Sequence, residues 1–239
     1  MNTLISLDQQ WLLAINGWHA EWADVLMWYV SKSTTWLPLY ALLVGLVVYQ
    51  FGVQWYLSTQ IIQNTPNTPN YRYKSLLRVF IVLAGFAVAV GLSDFVSSGI
   101  IKPWVCRLRP THEPALAGML HLVNGYTGGL YGFVSSHAAN TMACALLFSL
   151  LYRNKYATVG LMLWVALNCY SRMYLGVHYP GDIIGGLLVG AVSASLTYAW
   201  VRRLIALLDS RQVSNARDAS SAASYKRSAD GAGSPSAGS

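Results

Sequence analysis

Three groups of polar residues break an otherwise apolar chain: Lys102-x6-Arg109-Pro110, then Ser135-Ser136-His137, then Ser171-Arg172-x5-His178-x3-Asp182. Between them they hold three permanent cations, two imidazoles and one carboxylate. Cations of this kind grip phosphate oxygens. Lys102 is a point charge, whereas Arg109 and Arg172 each carry a planar fork that meets two oxygens at once. A histidine with a carboxylate four residues on has one ring nitrogen held and the other free to attack, so His178 and Asp182 have the pattern of an activated nucleophile. Ser135 is a preferred N-cap, and the free N–H groups of a helix N-terminus attract an anion. Ser135 and Ser136 therefore belong to a phosphate cradle, with His137 on the same first turn as a general acid. The joint inventory is that of phosphoryl transfer through a histidine. Each group also has a plainer reading: Lys102 and Arg109 as charge drawn to lipid headgroups, Ser135 as an ordinary cap, and Asp182 as a cap beside an interfacial histidine.

Each group stands at the end of an apolar stretch. Crossing the hydrocarbon core takes ~20 helical residues, and residues 35–55, 75–101, 134–152, 156–173 and 182–206 provide such stretches. Lipid offers backbone groups no partners, so these stretches must be helical. The expected fold is all-α, a polytopic transmembrane helix bundle with 5–6 spans over residues 35–208. Residues 1–34 read as two interfacial amphipathic helices broken at Asn16-Gly17, or alternatively as a short sixth span over 20–36. Residues 57–71 read as a polar cytoplasmic loop and 111–133 as an outward loop, with turns at Asn124-Gly125 and Gly128-Gly129. Residues 209–239, rich in Ser, Ala and Gly, read as a disordered cytoplasmic tail. Gly186 and Gly190 form a small-xxx-small seam for close helix packing.

Composition supports a membrane protein. The 239 residues are 54% hydrophobic and 10% charged, against roughly 25% charged in soluble domains. The net charge of +7 does not point to nucleic acid: residues 1–208 hold twelve Lys and Arg against six Asp and Glu, and these bases flank the apolar stretches or lie in the motifs. A lipid bilayer is the partner this distribution suits. Outside the motifs, Arg72, Lys74, Arg78, Arg153, Lys155, Arg202 and Arg203 fall on one side if five spans alternate. The positive-inside rule assigns that side to the cytoplasm, and hence the three motifs to the periplasmic face of a bacterial inner membrane. Cys106, Cys144 and Cys169 have no metal-ligand spacing, and a bridge between Cys106 and Cys169 stays open. No metal or other cofactor is expected. Asp94 is an intramembrane charge read as a hydrogen-bond acceptor between helices, and Arg107 as a headgroup or solvent contact.

The three groups, in this order and spacing, resemble the signature of the type 2 phosphatidic acid phosphatase superfamily, the lipid phosphate phosphatases. Its pattern is Lys-x6-Arg-Pro, Pro-Ser-Gly-His and Ser-Arg-x5-His-x3-Asp, and the likeness covers roughly residues 75–206. The second motif departs, with Val134 in place of Pro and Ser136 in place of Gly, while Ser135 and His137 remain. The resemblance implies an integral-membrane phosphatase. In it His178 becomes phosphohistidine, Asp182 orients it, His137 protonates the leaving oxygen, and Lys102, Arg109 and Arg172 hold the phosphate without a metal. The segment from His121 to Asn140 resembles the Bacteroidetes branch of the superfamily, which includes lipid A phosphatases, notably of the 4'-type, and undecaprenyl diphosphate phosphatases. Lipid A is the first substrate expected and undecaprenyl diphosphate the second. Phosphatidylglycerol phosphate or phosphatidate comes third. A lipid phosphotransferase would use the same residues. A non-enzymatic scaffold or transporter would leave the full set without a purpose. Asn124, Tyr126 and Tyr131 offer hydrogen-bonding and stacking groups for an amino-sugar headgroup.

Overall fold

The computed structural model describes residues 2–58 and 69–231. Among the described residues the structure is helical, apart from loops and one isolated antiparallel bridge between Leu108 and Tyr131. Helices α1 (Asn2–Asn16) and α2 (Glu21–Ser31) are separated by the expected break. Helix α3 (Leu37–Val47) runs on through a π-helical turn, Val48–Gln54. Helix α4 (Pro69–Asp94) continues through a second π turn, Phe95–Ile101, into a last turn, Lys102–Val105. Helices α5 (Ser136–Tyr152), α6 (Lys155–Tyr174) and α7 (Pro180–Gly231) complete the bundle.

Among the described residues three helical stretches are long and apolar enough to cross a membrane: Ser33–Ser58, Tyr73–Val105 and Pro180–Ser210. Their outer faces suit lipid. Leu76, Phe80, Leu188 and Leu196 are 61–69% exposed, and an apolar surface of that extent in water would drive association. α5 and α6 correspond to the other two expected stretches. α5 lies inside the bundle, where Ala138, Ala139, Ala143 and Ala145 are fully buried, so its small residues meet neighbouring helices instead of lipid. α2 has 11 residues; at 1.5 Å per residue it extends about 16 Å, roughly half the hydrocarbon thickness.

The seam predicted at Gly186 and Gly190 is present. A Cβ at Gly190 would collide with the Ala139 carbonyl oxygen, and one at Gly186 with the Ser135 carbonyl oxygen. α5 and α7 thus pack backbone to backbone, which brings the motif ending at His137 against the motif ending at Asp182. Below this contact the core is filled by Val82, Phe148, Trp164 and Val201. At the far end Arg78 pairs with Asp209, while Arg153, Arg202 and Asp209 line one cleft. Arg78, Arg153 and Arg202 therefore gather at the end of the bundle opposite the motifs.

Helix α7 continues past its membrane-length stretch Pro180–Ser210 to Gly231. Residues 210–230 contain neither Pro nor Gly and are rich in Ala, Arg and Ser, so nothing in the chain stops a helix already propagating from the membrane stretch. Residues 232–239 and the middle of the 57–71 loop, residues 59–68, lie outside the described residues. The three cysteines are free, with Cys106 exposed and Cys169 buried.

Candidate active site

Helices α4 to α7 and the loops that follow α4 and α6 converge on one end of the bundle. The loop Leu175–Tyr179 between α6 and α7 carries His178, which is 1% exposed. Pro180 at the first turn of α7 starts the helix with a ready-made φ, so Asp182, wholly buried, projects back over the loop. Its Oδ2 lies 3.3 Å from Nδ1 of His178 and accepts the Tyr179 backbone N–H at 3.1 Å. The other ring nitrogen of His178 is left clear of this pair. Burial, and then the charges of Arg109, Arg172 and Lys102, push His178 well below its ordinary pKa of 6.5. The imidazole is therefore neutral at neutral pH and able to attack.

The α5 N-terminus abuts this pair. Ser135 is wholly buried; its hydroxyl caps the Ala138 N–H at 3.5 Å, and its own N–H donates to the Asp182 carbonyl at 2.9 Å. The predicted cap is thus real, and it also splices the second motif to the third. Ser136, which replaces the glycine of the resembled pattern, has a specific partner: Lys102 Nζ donates to its Oγ at 2.6 Å, and Ser98 Oγ lies 2.7 Å away. One turn deeper, Asn140 Nδ2 donates to Asp94 Oδ1 at 3.1 Å. Asp94, Ser98 and Lys102 thus form a polar ladder from α4 to α5, as expected for Asp94. The π turn helps to place Lys102 on this face, because an extra residue per turn rotates everything after it.

The two arginines come from a loop and from α6. Arg109 is 8% exposed and Arg172 3%. Arg109 Nε donates to the Tyr131 carbonyl at 3.2 Å. Gly128 adopts φ +69°, a conformation that favours glycine, and a Cβ there would displace the Arg109 guanidinium. Arg172 donates to the hydroxyl of Ser31 through Nη1 and to Tyr126 Oη at 3.3 Å through Nη2. Arg109 is held below its ordinary pKa by burial and then by Arg172. Tyr126 is lowered even though burial alone would raise it, because Arg172 and Arg109 favour its phenolate. Among the described residues, Arg109 Nη1 and Arg172 Nε are buried without a hydrogen-bond partner. Leaving a buried donor unsatisfied costs about 1–3 kcal/mol, and more when the group is charged, a cost that an anion lying between them would remove.

The site brings together all of the expected residues: His178, Asp182, Ser135, Ser136, Lys102, Arg109 and Arg172 through the contacts above, and His137, which lines a cleft with Arg172 and Tyr126. Other residues change role. Arg107, expected to face headgroups or solvent, donates to Asp182 Oδ1 at 3.0 Å and to Asp8 Oδ2 at 2.6 Å, and its guanidinium lies 4.0 Å over the Tyr179 ring. A buried carboxylate needs such a partner, and the Leu108–Tyr131 bridge turns Arg107 inward to supply it. Asp8, unmarked in the sequence, also accepts the Gly181 N–H at 2.8 Å. Tyr126, read as a headgroup contact, spends its hydroxyl on Arg172, and His121 stacks on His19 at 3.8 Å while pairing with Asp24 at 2.9 Å. The N-terminal helices thus contribute Asp8 and Ser31 to the site. No spacing signals them, because their partners lie more than a hundred residues away in most cases.

This is a helical membrane protein with a buried cationic cradle beside an oriented histidine. The PAP2 superfamily profile matches residues 78–206, and the chain belongs to that superfamily. It is 30% identical over 208 residues to the lipid A 4'-phosphatase of Bacteroides thetaiotaomicron, covering 87% of this chain and 82% of that one. It is 28% identical to the lipid A 4'-phosphatase of Porphyromonas gingivalis, covering 83% of this chain and 74% of that one. The fold is similar to that of a transmembrane PAP2-type phosphatidylglycerolphosphate phosphatase from Bacillus subtilis, with a TM-score of 0.53 at 19% identity, over 85% of this chain and 88% of that one.

Proposed function

We propose that this chain removes a phosphate from lipid A, at the 4'-position, through a phosphohistidine. The observation that carries the phosphatase chemistry is the pair of buried, unpartnered arginine N–H groups beside a neutral histidine held by a carboxylate. The similarity to two lipid A 4'-phosphatases over most of both chains supports the substrate. In this mechanism the free ring nitrogen of His178 attacks phosphorus in line with the departing sugar oxygen. Asp182 keeps the ring oriented and stabilises the positive charge that the ring gains. Lys102, Arg109 and Arg172 face the phosphoryl oxygens, where preorganised cations lower the barrier most. His137 delivers its proton to the leaving oxygen, then takes one from the water that attacks phosphohistidine and releases phosphate.

On this reading α3 to α7 are five spans, and the positive-inside rule favours a cytoplasmic basic end with the site at the periplasmic face of an inner membrane. Phosphate release by the purified protein from lipid A, undecaprenyl diphosphate and phosphatidylglycerol phosphate tests the assignment. Lipid A should turn over fastest, and His178→Ala should abolish release. Fast release from undecaprenyl diphosphate with lipid A untouched would transfer the assignment to that lipid. Turnover near the wild-type rate without His178 would end the mechanism.

A further inference from the structure

A recess adjoins the cradle at His137 and Arg172. It is a cleft of about 320 Å³ whose inner wall holds His137 and Arg172, but neither His178 nor Asp182. In an in-line displacement the leaving group departs opposite the nucleophile, so a cleft that starts at the general acid is where the leaving group must lie. Its volume is at the lower end of the ~300–1,000 Å³ of ligand pockets. That suits a ring-sized polar group and not acyl chains.

The lining has the chemistry of sugar recognition with one added charge. Trp28 and Tyr126, edge to face at 5.6 Å, provide aromatic walls. Ser33 and Thr34 provide hydroxyls, and Lys32 stands among them. The Lys32 ammonium lies 4.7 Å from the Trp28 ring centroid and 5.4 Å from that of Tyr29. Among the described residues Lys32 forms no ion pair, and no carboxylate lines the cleft. An uncompensated ammonium beside aromatic and hydroxyl groups fits a sugar that carries an anion of its own.

We propose that this cleft is the subsite for the leaving sugar, and that Lys32 pairs with a second anionic group on it. The inference rests on the lipid A reading and adds a specificity determinant: the enzyme takes a sugar lipid with two anionic groups in preference to one with a single phosphate. Because Lys32 is exposed, the effect is that of an accessible ion pair, about fivefold at most, and it weakens as salt rises.

Initial-rate kinetics of the full chain in detergent micelles, with two acylated disaccharides that share the scissile phosphate and differ only in a second phosphate, test it. The wild type should show a KM up to about fivefold lower for the doubly phosphorylated lipid. Lys32→Gln should erase that difference, and Lys32→Arg should keep it. Equal KM values for the two lipids in the wild type, or a difference that survives in Lys32→Gln, would overturn the subsite while leaving the lipid A reading in place. Failure of the wild type to release phosphate from either disaccharide would overturn both.

Discussion

Arg107 reaches two carboxylates from opposite ends of the chain, Asp8 and Asp182, and its guanidinium lies over the Tyr179 ring while doing so. Asp182 is wholly buried and orients His178, so Arg107 acts on the attacking ring through another residue. Removing it leaves Asp182 short of its charged partner and lets the histidine turn. Arg107→Ala should therefore lower kcat by on the order of 10²-fold, the cost of misplacing a reacting group by about 1 Å, with little change in KM. Added guanidinium ion should restore part of the rate. Arg107→Lys should recover less than the wild type, since one ammonium cannot replace a fork that serves two acids. A rise in KM at constant kcat would place Arg107 on the substrate instead. The pairing of His178 with Asp182 is legible from its four-residue spacing because the contact is local. The roles of Arg107, Asp8 and Ser31 are not, since each depends on chain segments meeting from far apart.

Helix α5 works as a hub because it is thin. Its alanines and the glycines of α7 let the two backbones touch, and that contact presses Ser135 against Asp182. The Gly186–Gly190 seam is visible in the sequence, but its partner is not: only the packing shows that it faces α5. Gly190→Val should force the helices apart, because the Cβ would meet the Ala139 carbonyl, which is backbone and cannot rotate away. Overpacking of this kind costs about 1–3 kcal/mol, so the melting temperature in detergent should fall and phosphate release with it. Gly91, where a Cβ would meet nothing within 4 Å, provides the contrast. Gly91→Ala should hold or raise the melting temperature, since alanine is the better helix former by up to about 1 kcal/mol. Equal destabilisation by the two substitutions would refute the close-contact account.

At the scale of the molecule, charge is polarised along the bundle. The motif cations and Asp182 occupy one end, while Arg78, Arg153, Arg202 and Asp209 occupy the other. In a membrane that asymmetry sets orientation. With the three native cysteines replaced, a cysteine at Thr127 should react with a membrane-impermeant maleimide added to intact cells with a permeabilised outer membrane, and one at Lys155 should not. The reverse pattern would move the site to the cytoplasmic leaflet. The sequence by itself determined the apolar helical stretches and the motif residues at their ends, because hydrophobic length and residue type are local properties. It also determined the caps and turns at Ser135, Asn124-Gly125 and Gly128, whose conformations depend on near neighbours. Tertiary structure alone decided that α1 and α2 close the site and that Tyr126 and Ser31 hold Arg172. It alone turned Arg107 from the surface toward Asp182 and left two arginine N–H groups unpaired beside His178. Those facts depend on which charges are buried together, and burial is a property of the packed bundle and not of any stretch of chain.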